Sequence, residues 1–107
     1  MSLSEINPEF LKRAIDRWGA KQQLGMAQEE CGELIVAINK FKRGFDNEED
    51  VIEEIADVFI MISQLALLFG HKKIDHQVSK KIERLAFRLE DEPIEKYMPE
   101  TNNWSEE

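Results

Sequence analysis

The sequence predicts an all-α protein: a compact, four-helix bundle-like domain with antiparallel central helices that assembles into an oligomer. Apolar residues recur at three- and four-residue steps along most of the chain, which is typical of amphipathic helices. The 5 Gly and 3 Pro are too few for the many tight turns of an all-β architecture. With 42% hydrophobic and 34% charged residues, the 107-residue chain has the composition of one folded domain. We therefore expect a single domain over residues 1–107, with a helical core at about 8–92 and a polar tail at 93–107.

A capping residue and two glycines delimit the first two helices. Asn7 followed by Pro8 predicts a helix start, because Asn caps helices well and Pro is tolerated at the first helical position. Gly19 predicts the end of this helix, and a second helix at about 21–43 ends at Gly44. The apolar stripes are Phe10, Leu11, Ala14, Ile15 and Trp18 on the first helix, and Leu24, Ala27, Cys31, Leu34, Ile38 and Phe41 on the second.

The third helix is predicted to begin after the capping residue Asn47 and to end at Gly70. The acids that follow Asn47 suit the positive end of the helix dipole. After Asp57 the helix is apolar almost all round, and such a helix must be covered on every side. We therefore expect a homodimer or homotetramer with this helix near the interface. The predicted stripe is Val51, Ile55, Val58, Ile62, Leu65 and Phe69.

A fourth helix is expected at about 75–90. The Glu92-Pro93 step ends it, because a residue before proline disfavours the helical conformation. Its apolar stripe is Ile74, Val78, Ile82, Leu85 and Leu89.

The charge of the chain limits its partners. Acidic residues outnumber basic ones by 22 to 14, and the formal charge of −8 argues against a nucleic-acid or anionic-membrane surface. The most apolar run, residues 58–69, has only about half the length of a membrane span. The N-terminus shows no secretory signal and Cys31 is the single cysteine, so we expect a cytoplasmic protein.

Two pairs of carboxylates are the candidate chemistry. Glu30 and Glu33 on the second helix are three residues apart and lie on one side of it. The same spacing separates Glu54 from Asp57 on the third helix, and both pairs lie at about 75° and 135° from their stripes. The short connection at 44–47 predicts that the two helices are antiparallel neighbours. On such helices, side chains at equal angles from the apolar stripes project to the same side of the pair. We expect the four carboxylates to flank one groove, with the pairs offset along it by about 6 Å.

Four clustered carboxylates repel one another unless a cation compensates them. An oxygen-only ligand set favours a hard ion, so the sequence predicts Mg2+, with Mn2+ as the alternative. Such ions bridge to phosphates, which makes a phosphate ester the natural second ligand. Either pair alone is typical of solvated acids on a helix face. The matched phase of both pairs on adjacent helices favours the metal site.

The acidic pattern resembles that of a known family. Residues 29–33, Glu-Glu-Cys-Gly-Glu, a gap of twenty residues, and residues 54–57, Glu-Ile-Ala-Asp, are similar to the E-E-x-x-E…E-x-x-D signature of the all-α nucleotide pyrophosphohydrolases, the MazG-like superfamily. The resemblance extends over about residues 18–88 and is strong over the two acidic motifs. It implies Mg2+-dependent hydrolysis of a nucleoside triphosphate to a monophosphate and pyrophosphate, as in nucleotide-pool house-cleaning. The catalytic acids and metal ligands that it implies are Glu30, Glu33, Glu54 and Asp57.

Cationic and aromatic side chains are the candidates for substrate binding. Lys40 follows Glu33 by seven residues and projects to a similar side of the second helix. Lys81 and Arg84 resemble basic positions that family members place after the acidic motifs, with a solvated helix face as the alternative. Trp18 is predicted to stack on a base or, alternatively, to lie in the apolar core.

The carboxylate that accepts a proton from the attacking water is a separate question. Glu29 and Glu53 lie at about 175° from the predicted stripes and are expected to point away from the groove. Asp50 lies on the groove side, one turn before Glu54, and is a candidate outer acid. Its simpler role is a negative charge at the start of the third helix.

Three other classes of protein have related features: one belongs to the same superfamily and two do not. Phosphoribosyl-ATP pyrophosphohydrolases share the acidic pairs but usually carry a Lys before the first motif and a His after the second, where this chain has Met26 and Ile-Met-Ile at 60–62. A ferritin-like di-iron bundle needs E-x-x-H pairs, which the sequence does not contain. A non-enzymatic helical interaction protein is the third alternative, and it predicts that the four acids are replaceable.

Overall fold

A computed structural model describes residues 6–89, of which 89% are helical. These residues form four α-helices and no strand, which confirms the all-α prediction. The helices are α1 (Pro8–Trp18), α2 (Ala20–Lys42), α3 (Glu48–Phe69) and α4 (His71–Leu89). None of these four helices is both long and apolar enough to cross a membrane. The predicted helix end at Glu92-Pro93 and the predicted tail lie outside the described residues.

The start of α1 and its end at Gly19 agree with the prediction. The Asn7 side chain accepts a hydrogen bond from the backbone N–H of Glu9 at 2.8 Å, so it caps α1. Gly19 donates its N–H to the C=O of Ile15 at 2.7 Å, and its own C=O accepts from the N–H of Gln23 at 3.1 Å. A single residue therefore ends α1 and precedes α2.

The end of α2 is built around Gly44, as predicted. The helix runs unbroken through its two internal glycines. The N–H of Phe45 bonds to the C=O of Lys40 at 3.1 Å, and the N–H of Gly44 bonds to that of Phe41 at 3.0 Å. Gly44 has a φ of 94°, a backbone conformation that L side chains rarely adopt, so glycine is needed at this turn.

Asn47 precedes α3 as predicted, but its side chain does not cap the helix. The backbone C=O of Asn47 accepts from the N–H of Val51 at 3.2 Å. The side-chain Nδ2 instead donates to the C=O of Ala37 on α2 at 3.1 Å, and Oδ1 is buried without a hydrogen-bond partner. The side chain is drawn away from the cap because α3 starts beside Ala37, while α2 continues to Lys42.

The prediction for the start of α4 was wrong by about one turn, since the helix begins at His71 and not near residue 75. Gly70, with a φ of 109°, ends α3, and its C=O accepts from the N–H of Ile74 at 3.1 Å. His71 Nδ1 lies 3.0 Å from Asp75 Oδ2, which ties the first turn of the helix together. The early start was missed because residues 71–73 are polar and extend no apolar stripe.

The described chain forms two compact units. The first ends at Leu68, and its buried side chains are Leu11, Gln23, Ala27, Ala37, Val58, Met61, Ser63, Gln64 and Ala66. The second begins at Phe69 and contains α4, on which no side chain is fully buried. The extent of a single domain over residues 1–107 stays a prediction.

The inward faces of α2 and α3 differ from the predicted apolar stripes. At about 100° per residue, each face is rotated by about 50° toward the acidic pairs. Predicted stripe residues such as Ile38, Ile55 and Ile62 are exposed instead. The inward faces include glutamate and glutamine residues, so a prediction based on hydrophobicity alone misplaces these faces. The buried and half-buried residues at these positions are Gln23, Ala27, Glu30, Leu34 and Ala37 on α2, and Val51, Glu54, Val58, Met61, Leu65 and Leu68 on α3.

Candidate metal centre

Three of the four predicted acids come together between α2 and α3. Glu30, Glu33 and Glu54 each present one carboxylate oxygen, and these oxygens all lie within 4.8 Å of one another. Glu30 and Glu54 are half-buried, whereas Glu33 is exposed. Glu30 Oε2 and Glu54 Oε2 are buried and have no hydrogen-bond partner. Buried carboxylate oxygens without partners are costly, and a hard cation would satisfy them.

Asp57, the fourth predicted acid, is exposed and lies outside this three-acid group. Its charge nevertheless acts on the group. Partial burial raises the pKa of Glu30 above its ordinary value of 4.5, and the negative charges of Glu33 and Asp57 raise it further. Burial also raises the pKa of Glu54, with Glu33 as the strongest neighbouring charge and Asp57 as the next. Glu30 and Glu54 therefore lie in a negative field that favours protonation of these two carboxylates or a bound cation.

The antiparallel register of the two helices explains why the acids meet. Gln23 of α2 hydrogen-bonds to Gln64 of α3 at 2.7 Å. Seven residues from this pair along each helix, Glu30 comes level with Asp57. Three residues further along each helix, Glu33 comes level with Glu54. The two acidic pairs therefore do not show the expected 6 Å offset along the groove. That expectation counted both helices from the same level at the turn, whereas α2 extends beyond the start of α3.

An open groove of about 540 Å³ adjoins the acids. Lys40 lines it beside Glu33 and Glu54, on the side where the sequence predicts it. Asn47 and Asp50 line it as well. Asp50 belongs to the first turn of α3, so its two predicted roles, helix charge and groove acid, are compatible.

Glu29 also lines this groove, and the prediction that it points away was wrong. The inward face of α2 is rotated toward the acids, which leaves Glu29 at about 120° from the centre of that face instead of 175°. Glu53 is exposed and does not contribute to the groove, as predicted.

The remaining substrate-binding candidates lie elsewhere. Trp18 is the last residue of α1, does not line the groove and is 53% exposed, so its alternative role as a core residue was wrong. Lys81 and Arg84 are exposed residues of α4, in the second compact unit. A role in substrate binding stays a prediction for all three.

The hydrogen bonds that three polar residues make near the acids were not predicted from the sequence. Gln23 and Gln64 were not singled out, and Asn47 was interpreted only as a cap. The spacing of these residues from the acids could have identified them, because residues seven apart on a helix face in nearly the same direction. Gln23 precedes Glu30 by seven residues, Asn47 precedes Glu54 by seven, and Gln64 follows Asp57 by seven.

Comparison with known families assigns the chain. Residues 20–90 match the family described as MazG nucleotide pyrophosphohydrolase domain, and the match includes both acidic pairs. No curated protein and no solved structure gave a significant match. The family consists of hydrolases acting on phosphoric anhydrides, so the alternative of a non-enzymatic interaction protein was wrong. The chain therefore belongs to the MazG nucleotide pyrophosphohydrolase family and is an enzyme of that class.

Proposed function

We propose that the enzyme hydrolyses nucleoside or deoxynucleoside triphosphates to the monophosphate and pyrophosphate in a Mg2+-dependent reaction of nucleotide-pool house-cleaning. One observation carries this proposal: three carboxylates from two helices converge within 4.8 Å, and two of their oxygens are buried without partners. A free nucleotide suits a chain of charge −8 better than a nucleic acid does. A cytoplasmic location agrees with such a substrate.

The donor set fits a hard divalent cation. Glu30, Glu33 and Glu54 supply oxygen ligands only, which favours Mg2+ and leaves Mn2+ as the alternative ion. Asp57 is the fourth ligand that we assign, because its charge already acts on Glu30 and Glu54. When bound there, the ion would neutralise phosphate charge and make water a better nucleophile.

The other side chains of the groove bind substrate and accept a proton. Lys40 offers an ammonium group that pairs with phosphate oxygens of the nucleotide. Water attacks a phosphorus atom, and the anhydride bond between the α- and β-phosphates breaks. Glu29 and Asp50 line the groove outside the three-acid group, and we assign the proton lost by that water to one of their carboxylates.

Replacing Lys40 with methionine is expected to raise KM for the triphosphate by about tenfold, with a smaller change in kcat. The substitution removes a charge-assisted contact to the substrate and keeps the length of the side chain. Steady-state rates of pyrophosphate release measure both constants. Lys42→Met is the matched control, because Lys42 lies on the same helix but not in this groove. Equal KM values for the two variants would remove Lys40 from the binding site.

The experiment that tests the proposed substrate class is a panel assay. Pyrophosphate release is measured in Mg2+ with the common ribo- and deoxyribonucleoside triphosphates and with phosphoribosyl-ATP. The proposal predicts turnover of at least one triphosphate. Turnover of phosphoribosyl-ATP alone would select the phosphoribosyl-ATP pyrophosphohydrolase alternative. No turnover of any substrate by folded protein with Mg2+ would contradict both.

We also propose that the enzyme is a homodimer or homotetramer. α2 and α3 expose large apolar side chains outside their inward faces, including Ile35, at 67% exposure, and Ile55, at 53%. Water contact with such a face is unfavourable, and a second copy would cover it. The proposal does not depend on the metal site.

Light scattering is expected to give a mass of two or four times the 12.5 kDa of one chain. Ile55→Glu should weaken this association by about thirtyfold, because it buries a charge in an apolar interface. Glu53→Lys, an exposed change on the same helix, is the control and should leave the mass unchanged. A single-chain mass for the unaltered protein would contradict the oligomer.

A further inference from the structure

Two side-chain hydrogen bonds lie on opposite sides of the acids: one joins α2 to α3, and the other joins α2 to the residue before α3. Gln23 Nε2 donates to Gln64 Oε1 at 2.7 Å, and both residues are buried, at 5% exposure each. Asn47 Nδ2 donates to the C=O of Ala37 at 3.1 Å. The glutamine pair is the more informative of the two, because it joins two long polar side chains that are both buried.

The glutamine pair lies in the same heptad positions as two of the acids. Gln23 and Glu30 are seven residues apart on α2, and Asp57 and Gln64 are seven apart on α3. Each glutamine therefore faces nearly the same direction as its acid, two turns or about 10.5 Å along the helix. A register that joins the two amides also places Glu30 opposite Asp57.

Several of the other buried side chains of α2 and α3 are small or smooth in shape. Ala27, Ala37 and Val58 are examples, and they present no polar atom that would need a partner at one register only. A slide by one turn would leave both amides buried without a partner, which costs free energy. Gln64 Nε2 also lies 3.9 Å from Met61 Sδ, a weak acceptor that does not replace the amide partner. Single polar residues set the register of coiled coils in this way.

We infer that Gln23 and Gln64 are positioning residues for the hydrolytic site, whose hydrogen bond holds the acids of α2 level with those of α3. The inference rests on the proposed function, in which those acids bind the metal. It assigns the pair a role in geometry more than in stability. Replacing both partners of a buried hydrogen bond by apolar groups of similar shape is often nearly neutral for folding.

The test is the double variant Gln23→Met/Gln64→Met, because methionine has nearly the shape of glutamine and removes the hydrogen bond. We expect it to remain helical and to bind Mn2+, followed by electron paramagnetic resonance without substrate, at least about tenfold more weakly. The kcat for pyrophosphate release should fall by a similar factor. Ser63→Ala is the matched control, since Ser63 is buried on α3 but bonds to Phe59 C=O of its own helix. It should bind Mn2+ as the unaltered enzyme does.

A folded double variant with unchanged Mn2+ affinity and kcat would overturn the inference and leave the proposed function intact. Absence of Mn2+ binding by the unaltered enzyme would instead contradict the proposed function and the inference with it. If the double variant does not fold, Gln64→Glu and Gln64→Met are compared. Glutamate keeps the acceptor for Gln23 Nε2, so only the methionine variant should lose affinity. Equal affinities in these two variants would also overturn the inference.

Discussion

Glu54→Gln is expected to lower kcat for triphosphate hydrolysis by at least about a hundredfold. The substitution preserves the size of the side chain but removes one charge from a group whose oxygens lie within 4.8 Å. The carboxamide also presents only one oxygen, so a cation would lose a charged ligand. Initial rates of pyrophosphate release at saturating Mg2+ measure the effect. Circular dichroism should show unchanged helicity, because Glu54 Oε2 has no hydrogen-bond partner among residues 6–89 that the substitution would remove.

Glu53→Gln is the matched control for this experiment. Glu53 is the neighbouring residue, carries the same charge and is exposed outside the groove. Its kcat is expected to stay within about twofold of the unaltered enzyme, in the range of ordinary surface changes. A rate for Glu54→Gln as high as that of Glu53→Gln would contradict the assignment of Glu54 to the site.

Thermal stability is expected to depend on pH and Mg2+ together. The pKa values of Glu30 and Glu54 are raised in the folded protein above their ordinary 4.5. The folded state therefore binds protons more tightly than the unfolded chain between 4.5 and those raised values. The free energy of unfolding falls as the pH rises through this window and stays low above it. In metal-free protein, Tm should decrease accordingly from pH 4.5 toward neutral pH.

Mg2+ should reverse this loss at neutral pH. Ligand at about 100 times its Kd stabilises the folded state by about 2.7 kcal/mol, which corresponds to a rise in Tm of about 10 °C or more for a domain of this size. Differential scanning fluorimetry with and without EDTA measures it. Glu54→Gln should show a higher metal-free Tm at neutral pH, because less charge repulsion remains, and a much smaller response to Mg2+. A large Mg2+ response in this variant would place the ion elsewhere.

The sequence predicts the ends of helices where a single residue decides them. Asn7 caps α1 through its own side chain, and Gly44 supplies the positive φ that ends α2. The start of α4 has no such signal, because Gly70 ends α3 and precedes α4 without an intervening loop. A helix end is therefore predictable to within about one residue where a capping residue or a glycine determines it. Where no such residue is present, the prediction is accurate to about one turn.

The meeting of three of the four acids could be predicted, but the place of these acids in the contact between α2 and α3 could not. Equal spacing and phase on two neighbouring helices were enough to expect one shared groove. Hydrophobic patterning placed Glu30 and Glu54 at the border of the contact, whereas they lie among its inward positions. Apolar residues on another face, such as Ile38 and Ile55, displaced the apparent stripe. Such a displacement is expected where carboxylates lie among the inward residues and large apolar residues lie on an exposed face.

The products of the reaction test the central claim most directly. The enzyme is incubated with a triphosphate from the panel and Mg2+, and the products are followed by phosphorus nuclear magnetic resonance. We predict equal amounts of nucleoside monophosphate and pyrophosphate, with no reaction in EDTA. Formation of nucleoside diphosphate and inorganic phosphate, or an unchanged rate in EDTA, would contradict metal-dependent pyrophosphohydrolysis at the site formed by α2 and α3.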